Sequence, residues 1–376
     1  MGHDRGSESK SQPTLVILFP DDWAIYSPTL TRLVDRLAPY FDVKAFVLDT
    51  GRFDLSSLGA DRYVRVRCPK SLAWALRKLG LFRITRSLLL AKHAFAARHV
   101  RHLVAVDGDG ALAAMLVGRS RFHFLSLEIR RHAFLRRAIP RRLQSIVIQT
   151  EDRLRFQFDS RSIAGVPIFY VQNAPSVPTV APPSRLPVSR EKGLKLVFMG
   201  NAIPAHGLEP MLALLRSLPE STLTLQGNVP DGSWRIIKAS YADLLAEKRI
   251  LVPDEFMAEE QLSDFLSQFD VGLCLYSLRG MQRYDFNYVS APSGKMFNYF
   301  AAGIPVLGSD LLGLQPVKEH GAGMLVRDNS VEELSVAAEK IAADMDRYRD
   351  AARAAARHYD FAAATAPWLD YLRDAG

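Results

Sequence analysis

Cysteine is nearly absent: the chain of 376 residues has two, Cys68 and Cys274. Two thiols cannot build a disulfide framework or a four-cysteine zinc site, so a reducing compartment and a metal-free fold are expected. Long apolar runs are missing as well. No uninterrupted stretch approaches the ~18 residues that span a bilayer, and no cationic segment followed by an apolar one opens the chain in the manner of a secretion signal. Both absences point to a cytoplasmic protein. The first dozen residues, MGHDRGSESKSQ, are polar and read as a disordered or added tail. What remains, at 48% hydrophobic content, is enough for two ordinary domains, each with its own core.

Acidic residues are scarce in one region. The net charge is +8, yet residues 61–160 hold 21 Lys and Arg against 7 Asp and Glu. The densest part, IRRHAFLRRAIPRR, contains Arg130, Arg131, Arg136 and Arg137 without an acid. Upstream, SLAWALRKLGLFRITRSLLLAKHAF (71–95) mixes Trp74, Leu76, Leu79, Phe82 and Leu88 with Arg77, Lys78, Arg83, Arg86 and Lys92. That mixture suits a helix lying on an anionic membrane surface, and equally suits ordinary helices with solvated charges and buried apolar faces. No RNA- or DNA-binding signature accompanies the charge, so nucleic acid is not an expected partner.

Apolar strand-like runs alternate with helical patterns: TLVILF (14–19), VKAFVL (43–48), HLVAV (102–106), FHFLSL (122–127), SIVIQ (145–149) and IFYVQ (168–172). The proline-rich segment NAPSVPTVAPPSRLPVSREKG (173–193) interrupts them and reads as a stiff linker. The rhythm then restarts with LKLVFM (194–199), STLTLQ (221–226), RILV (249–252), DVGLCLY (270–276), IPVLG (304–308) and GMLV (323–326). Alternation of this kind predicts parallel sheets covered on both faces. Two such sheets, each binding ligands beyond the carboxyl ends of its strands, are expected to face each other across one deep cleft.

The stretch SAPSGKMFNYFAAGIPVLGSD (290–310) carries chemistry. Ser293 is a suitable N-cap, Gly294 lets backbone approach a ligand, and the amides at 294–296 are expected to be unpaired. A free helix N-terminus with Lys295 in its first turn is an anion site, most naturally for phosphate. Asn298 lies on the same face, roughly 4.5 Å further along the axis. That spacing fits a diphosphate at the helix end and a ribose hydroxyl one turn in. A plain capped helix with a solvent lysine is the alternative.

This stretch resembles the PNKLFEYMAAGxPVI signature of GT-B glycosyltransferases of the family-4 type, enzymes that use nucleotide-sugar donors. LKLVFMGNAIPAHGLEPMLALL, EEQLSDFLSQFDVGLCLY and IFYVQNAPS resemble, in order, that family's donor-domain opening, its eelpellaxaDvxlxP segment and the vipNgvd before its interdomain linker. The first half matches mainly in rhythm. The resemblance implies an α/β GT-B fold of two Rossmann-like domains. The expected division is an N-terminal acceptor-binding domain (13–175), a linker (176–193) and a donor-binding domain (194–355). A last segment (356–376) is expected to cross back to the first domain, anchored by Trp368 and Tyr371. The implied donor site comprises Gly200, Asn201, His206, Tyr276, Arg279, Ser293, Gly294, Lys295, Met296 and Asn298.

There are departures from the family pattern. An arginine and a lysine that often contact the diphosphate are Asn201 and His206 here, and the usual ribose-binding glutamate is Asn298. Lys295 becomes the principal cation, with Arg279 and Arg283 able to add charge. The resemblance further implies retention at the anomeric carbon, a donor phosphate oxygen helping to accept the acceptor's proton, and no metal or other cofactor. Asp107, Asp109 and Glu128 are acceptor-side candidates, with Asp109, Glu128 and Lys295 taken as the catalytic set. Asp107 and Asp109 also spell the D-x-D of another transferase architecture, and Asp109 could simply cap the following helix. The histidine that often precedes the position of Glu128 is Leu127.

The reading is a retaining glycosyltransferase that moves a sugar from a UDP- or GDP-linked donor to a glycan or lipid-linked glycan in bacterial surface polysaccharide assembly. It places the protein in the cytoplasm, with peripheral contact at the inner face of an anionic membrane through Arg130, Arg131, Arg136 and Arg137. A non-catalytic homologue that binds a nucleotide sugar or a partner, or a sugar-nucleotide 2-epimerase, are the alternatives.

Overall fold

The computed structural model describes residues 12–119, 121–129, 137–177, 193–253, 257, 259–277 and 286–374. The chain divides into two compact units, residues 1–172 with 362–376 and residues 173–361. The expected boundaries, 175/176 and 355/356, thus move by a few residues.

In the first unit seven strands form one sheet: β1 (Thr14–Phe19), β2 (Asp42–Asp49), β3 (Tyr63–Arg67), β4 (His102–Val106), β5 (Phe122–Leu125), β6 (Leu143–Ile148) and β7 (Ile168–Tyr170). Their order is β3-β2-β1-β4-β5-β6-β7, and every pairing is parallel. Strands covered on both faces read as unbroken apolar runs, and β1 and β4 are buried almost throughout. The edge strand β3 differs. Its sequence YVRVR alternates valine with arginine, a pattern absent from the runs that announced the others.

One feature between the strands corrects an expectation. The stretch 71–95 is two helices, Lys70–Lys78 and Phe82–Ala94, parted at Gly80, whose φ of +68° is a left-handed conformation that glycine adopts without strain. The Leu81 amide donates to the Leu76 carbonyl and the Gly80 amide to that of Arg77, closing the first helix at its glycine.

The helix Phe361–Asp374 belongs to the first unit. Its Trp368 is fully buried. The indole N–H donates to Ser145 Oγ at 3.0 Å and the Tyr371 hydroxyl to the Gln144 carbonyl at 2.9 Å. Ser145 Oγ also lies 2.9 Å from His123 Nδ1, and His123 Nε2 is 3.1 Å from His102 Nδ1. The C-terminal helix is thus fastened to β6, β5 and β4 through a buried polar chain.

The second unit repeats the plan with β8 (Lys195–Met199), β9 (Thr222–Gln226), β10 (Ile250–Leu251), β11 (Val271–Cys274), β12 (Val306–Ser309) and β13 (Gly323–Val326). The order is β10-β9-β8-β11-β12-β13, again all parallel. In both sheets the order reverses beside the first strand of the unit, between β1 and β4 and between β8 and β11. At such a switch point the loops leave in opposite directions and open a crevice at the carboxyl ends.

Candidate functional site

In the second unit the switch point collects most of the expected donor residues. From β8 the chain runs through Gly200 and Asn201 into the turn Pro204–His206, then through Gly207 into the helix Leu208–Ser217. Gly207 has φ +74°, and a Cβ there would lie 2.6 Å from Leu275 Cβ, so this turn needs glycine on both counts. Asn201 Oδ1 accepts from Asn228 Nδ2 at 2.9 Å. The Asn201 carbonyl accepts from His206 Nδ1 at 2.8 Å, which fixes the proton on Nδ1 and leaves Nε2 as an acceptor in the neutral ring. Burial, and then the charge of Lys295, lower the His206 pKa. His206 is therefore neutral near pH 7 and adds no cation.

Lys295 lies in the first turn of the helix Gly294–Ala301. Its Nζ sits 4.3 Å from the centre of the Phe198 ring and 5.0 Å from that of Tyr276, contacts in which the ring faces partly compensate an ammonium drawn from water. Burial lowers its pKa to about 8, and no described carboxylate opposes that shift. A half-buried ammonium without an anion is costly by itself, and such perturbed groups gather at functional sites.

The helix end is arranged differently from the sequence reading. Ser293 makes no side-chain cap; its hydroxyl accepts from Tyr276 at 3.0 Å. Nor is the amide of residue 296 free, because it donates to the Ser293 carbonyl at 3.0 Å. Met296 is fully buried with Phe297, Tyr299 and Phe300, so its side chain serves the core rather than a ligand. A Cβ at Gly294 would come within 2.8 Å of Asn173 Nδ2, the mobile end of a side chain that can turn aside. Asn298 is half-buried one turn in, and Arg279 lies outside the described residues.

Residues with no local signature pin this site. The Tyr276 amide donates to Ser309 Oγ at 2.9 Å, its carbonyl accepts from Asn329 Nδ2 at 2.8 Å, and Ser309 Oγ donates to Asn329 Oδ1 at 2.8 Å. Tyr288 packs edge-on against Tyr276 at 5.4 Å and donates to the Ala205 carbonyl at 2.6 Å. Beneath them Tyr299 reaches between the ends of β8 and β11. Its hydroxyl accepts from the Met199 amide at 3.0 Å and lies 3.3 and 3.4 Å from the Val197 and Leu273 carbonyls. The ring rests on Gly272, where a Cβ would lie 2.4 Å from ring carbons. Gly272→Ala is accordingly expected to displace Tyr299 and cost about 1–3 kcal/mol, read as a fall of several degrees in Tm, with the wild-type value contradicting the wedge.

The switch point of the first unit holds a polar pocket lined by Asp21, Arg83, Arg86, Asp107, Asp109, Glu128 and Gln157. Asp107 opens the helix Asp107–Leu116 at φ +53°. Non-glycine residues are strained there, and such strain clusters at functional sites. Its Oδ1 accepts from the amides of Leu127 and Glu128 at 2.8 and 2.9 Å. Burial outweighs both bonds and raises the carboxyl to about 8. Asp109, expected as a catalytic carboxylate or a cap, is instead gripped by two arginines. Arg83 donates to both its oxygens, at 3.2 and 2.7 Å, and buried Arg86 donates through Nε at 2.7 Å. Burial would raise it, but the two guanidiniums win and hold it below the carboxylate range. Asp109 is thus bound by two arginines, and Asp107 by two backbone amides at its Oδ1.

Glu128 is half-buried at the pocket wall. Arg137 is exposed, while Arg130, Arg131 and Arg136 lie outside the described residues.

No protein-family model matches the chain, and no curated protein matches it by sequence. Solved structures do match by shape. Anabaena HepE, determined with UDP and glucose, superposes with a TM-score of 0.65 at 14% identity, over 96% of this chain and 100% of that one. Sucrose-phosphate synthase from Thermosynechococcus elongatus gives 0.64 at 16% identity over 97% and 100%. The UDP-forming α,α-trehalose-phosphate synthase from Burkholderia vietnamiensis gives 0.62 at 11% identity over 96% and 99%. With two parallel sheets of this order, the likeness identifies the architecture of the chain as the GT-B fold.

Proposed function

We propose that this chain is a glycosyltransferase that takes a sugar from a nucleotide-diphosphate donor. One observation carries the reading. Lys295 holds an ammonium unopposed by any described carboxylate, beside a helix N-terminus without a side-chain cap, at the switch point of the second unit. As the bond from the anomeric carbon to the diphosphate breaks, negative charge builds on the leaving group. A helix end and a fixed cation stabilise charge at that place. The UDP named in the HepE structures supports a uridine nucleotide as first choice. Asn298, one turn inward, would hydrogen-bond a ribose hydroxyl.

On the acceptor side, Asp107 and Glu128 are the carboxylates this reading turns to, since Asp109 is taken up by its arginines. With a pKa near 8, Asp107 can donate or accept a hydrogen bond to a hydroxyl at neutral pH. The acceptor proposed is a saccharide, lipid-linked in bacterial surface polysaccharide assembly, and the transfer retains anomeric configuration.

The test is turnover with a panel of UDP- and GDP-sugars, scored for hydrolysis and transfer. Turnover with one donor supports the enzyme; tight binding with none supports a non-catalytic homologue. A pH signature belongs to the same site. Lys295 is charged below about 8, so donor affinity should hold from pH 6.5 to 7.5 and then fall, by up to about tenfold per pH unit above 8. Lys295→Arg, which stays charged, should flatten that fall; an equal fall in the variant would assign it to another group.

A further inference from the structure

The helix Phe82–Ala94 has two apolar faces where a surface helix needs one. Its inner face buries Phe82, Leu90, Ala91 and Ala94. A second stripe, Leu81, Ile84, Leu88 and Phe95, is spaced by three, four and seven residues, so it lies on one side of the helix. All four are about half exposed. The preceding helix, Lys70–Lys78, buries Ala73 alone among its residues and leaves Leu72 and Trp74 exposed, with Leu79 following at 70%. Seven of the 14 large apolar side chains exposed among the described residues therefore fall within residues 72–95. Single exposed apolar residues are ordinary, but a contiguous set marks an interaction surface.

Charge says what the surface meets. From Arg62 to Val106 the sequence contains 11 Lys and Arg and no Asp or Glu. Asp109 neutralises Arg83 and Arg86 from outside the segment, and Asp22 lies 3.8 Å from Arg77. Lys78 sits 4.0 Å over the Trp74 ring, placing a cation beside the largest exposed apolar group. A second copy of this chain would bring the same cations against these, which repel. Anionic lipid offers an apolar interior to the stripe and negative headgroups to the lysines. Among the described residues no helix is long and apolar enough to cross a membrane, so the fit is to a surface.

We propose that the helices Lys70–Lys78 and Phe82–Ala94 seat the first unit on an anionic lipid bilayer. Trp74, Leu79, Ile84 and Leu88 enter the headgroup boundary, while Lys70, Lys78 and Lys92 face the lipid charge. The proposal stands apart from the donor site and survives its failure.

The experiment is flotation of the full chain with phosphatidylcholine vesicles, with and without phosphatidylglycerol. The wild type should float with the anionic vesicles at low salt and be released as salt rises to about 0.5 M, where screening is strong. Ile84→Ser with Leu88→Ser, both on exposed positions, should keep the wild-type Tm and weaken binding at least tenfold. Lys78→Gln should weaken it about fivefold. A blue shift of tryptophan emission on vesicle addition should disappear in Trp74→Phe. Absence of flotation at low salt, or binding indifferent to phosphatidylglycerol or to the double variant, would overturn the proposal. So would a dimer, seen by sedimentation without vesicles, that the double variant disperses.

Discussion

Replacing Lys295 by methionine is expected to weaken binding of UDP or GDP by roughly 10- to 150-fold while leaving the unliganded fold at least as stable as the wild type. The first half follows from what is removed. A charge-assisted hydrogen bond to a phosphate oxygen contributes about 1.5–3 kcal/mol, and every ~1.4 kcal/mol is tenfold in Kd. The second half follows from what remains. Methionine places an unbranched apolar side chain beside Phe198 and Tyr276, where the native ammonium lies over both rings with its pKa lowered to about 8 by lost hydration. A residue that destabilises the empty protein and serves only a ligand is the pattern by which function and stability conflict. Titration calorimetry gives Kd and a melting curve gives the stability. Unchanged affinity would remove Lys295 from the site, and a large loss of Tm would make it structural.

Acid is expected to destabilise the first unit through its buried histidines. Burial lowers His102 to about 4, and burial with the charges of His102 and Arg119 lowers His123 to about 3. Both titrate near 6.5 when unfolded. Between those values the unfolded chain binds protons that the folded one refuses, so stability rises with pH. The contribution is complete above about pH 6.5 and drains as pH falls toward 4. Near pH 4.5 the pair would forfeit on the order of 5 kcal/mol, a large share of an ordinary domain's stability. The geometry agrees: facing nitrogens 3.1 Å apart share one proton, and two charged rings would repel. Urea unfolding of the wild type and of His102→Gln with His123→Gln, compared at pH 7.5 and 4.5, isolates the effect from carboxylates that also titrate. The double variant should lose much less stability on acidification; parallel losses would refute the account.

The architecture was legible because strands buried on both faces are written as contiguous apolar runs, and those runs located every described strand but β3. That strand escaped because its valines alternate with arginines at an edge. The break at Gly80 escaped because helical spacing continues across it on both sides. At the site, Ser293, Gly294 and Lys295 were legible as neighbours in the chain. Their setting was not. Tyr276 taking the Ser293 hydroxyl, Tyr299 wedged over Gly272, Ser309 and Asn329 holding the Tyr276 backbone, and Arg83 and Arg86 reaching Asp109 join residues whose proximity exists only after the sheets form. Asp109 shows the consequence. Its sequence suggested a catalytic carboxylate or a cap, and its partners, 23 and 26 positions away, make it an anchor.

The most direct test of the donor site is a crystal structure of the full chain with UDP. The diphosphate is expected within hydrogen-bond distance of Lys295 Nζ and the first amides of the helix Gly294–Ala301, with a ribose hydroxyl on Asn298. A nucleotide seated elsewhere, with Lys295 Nζ still over Phe198 and no phosphate oxygen near it, would contradict the account.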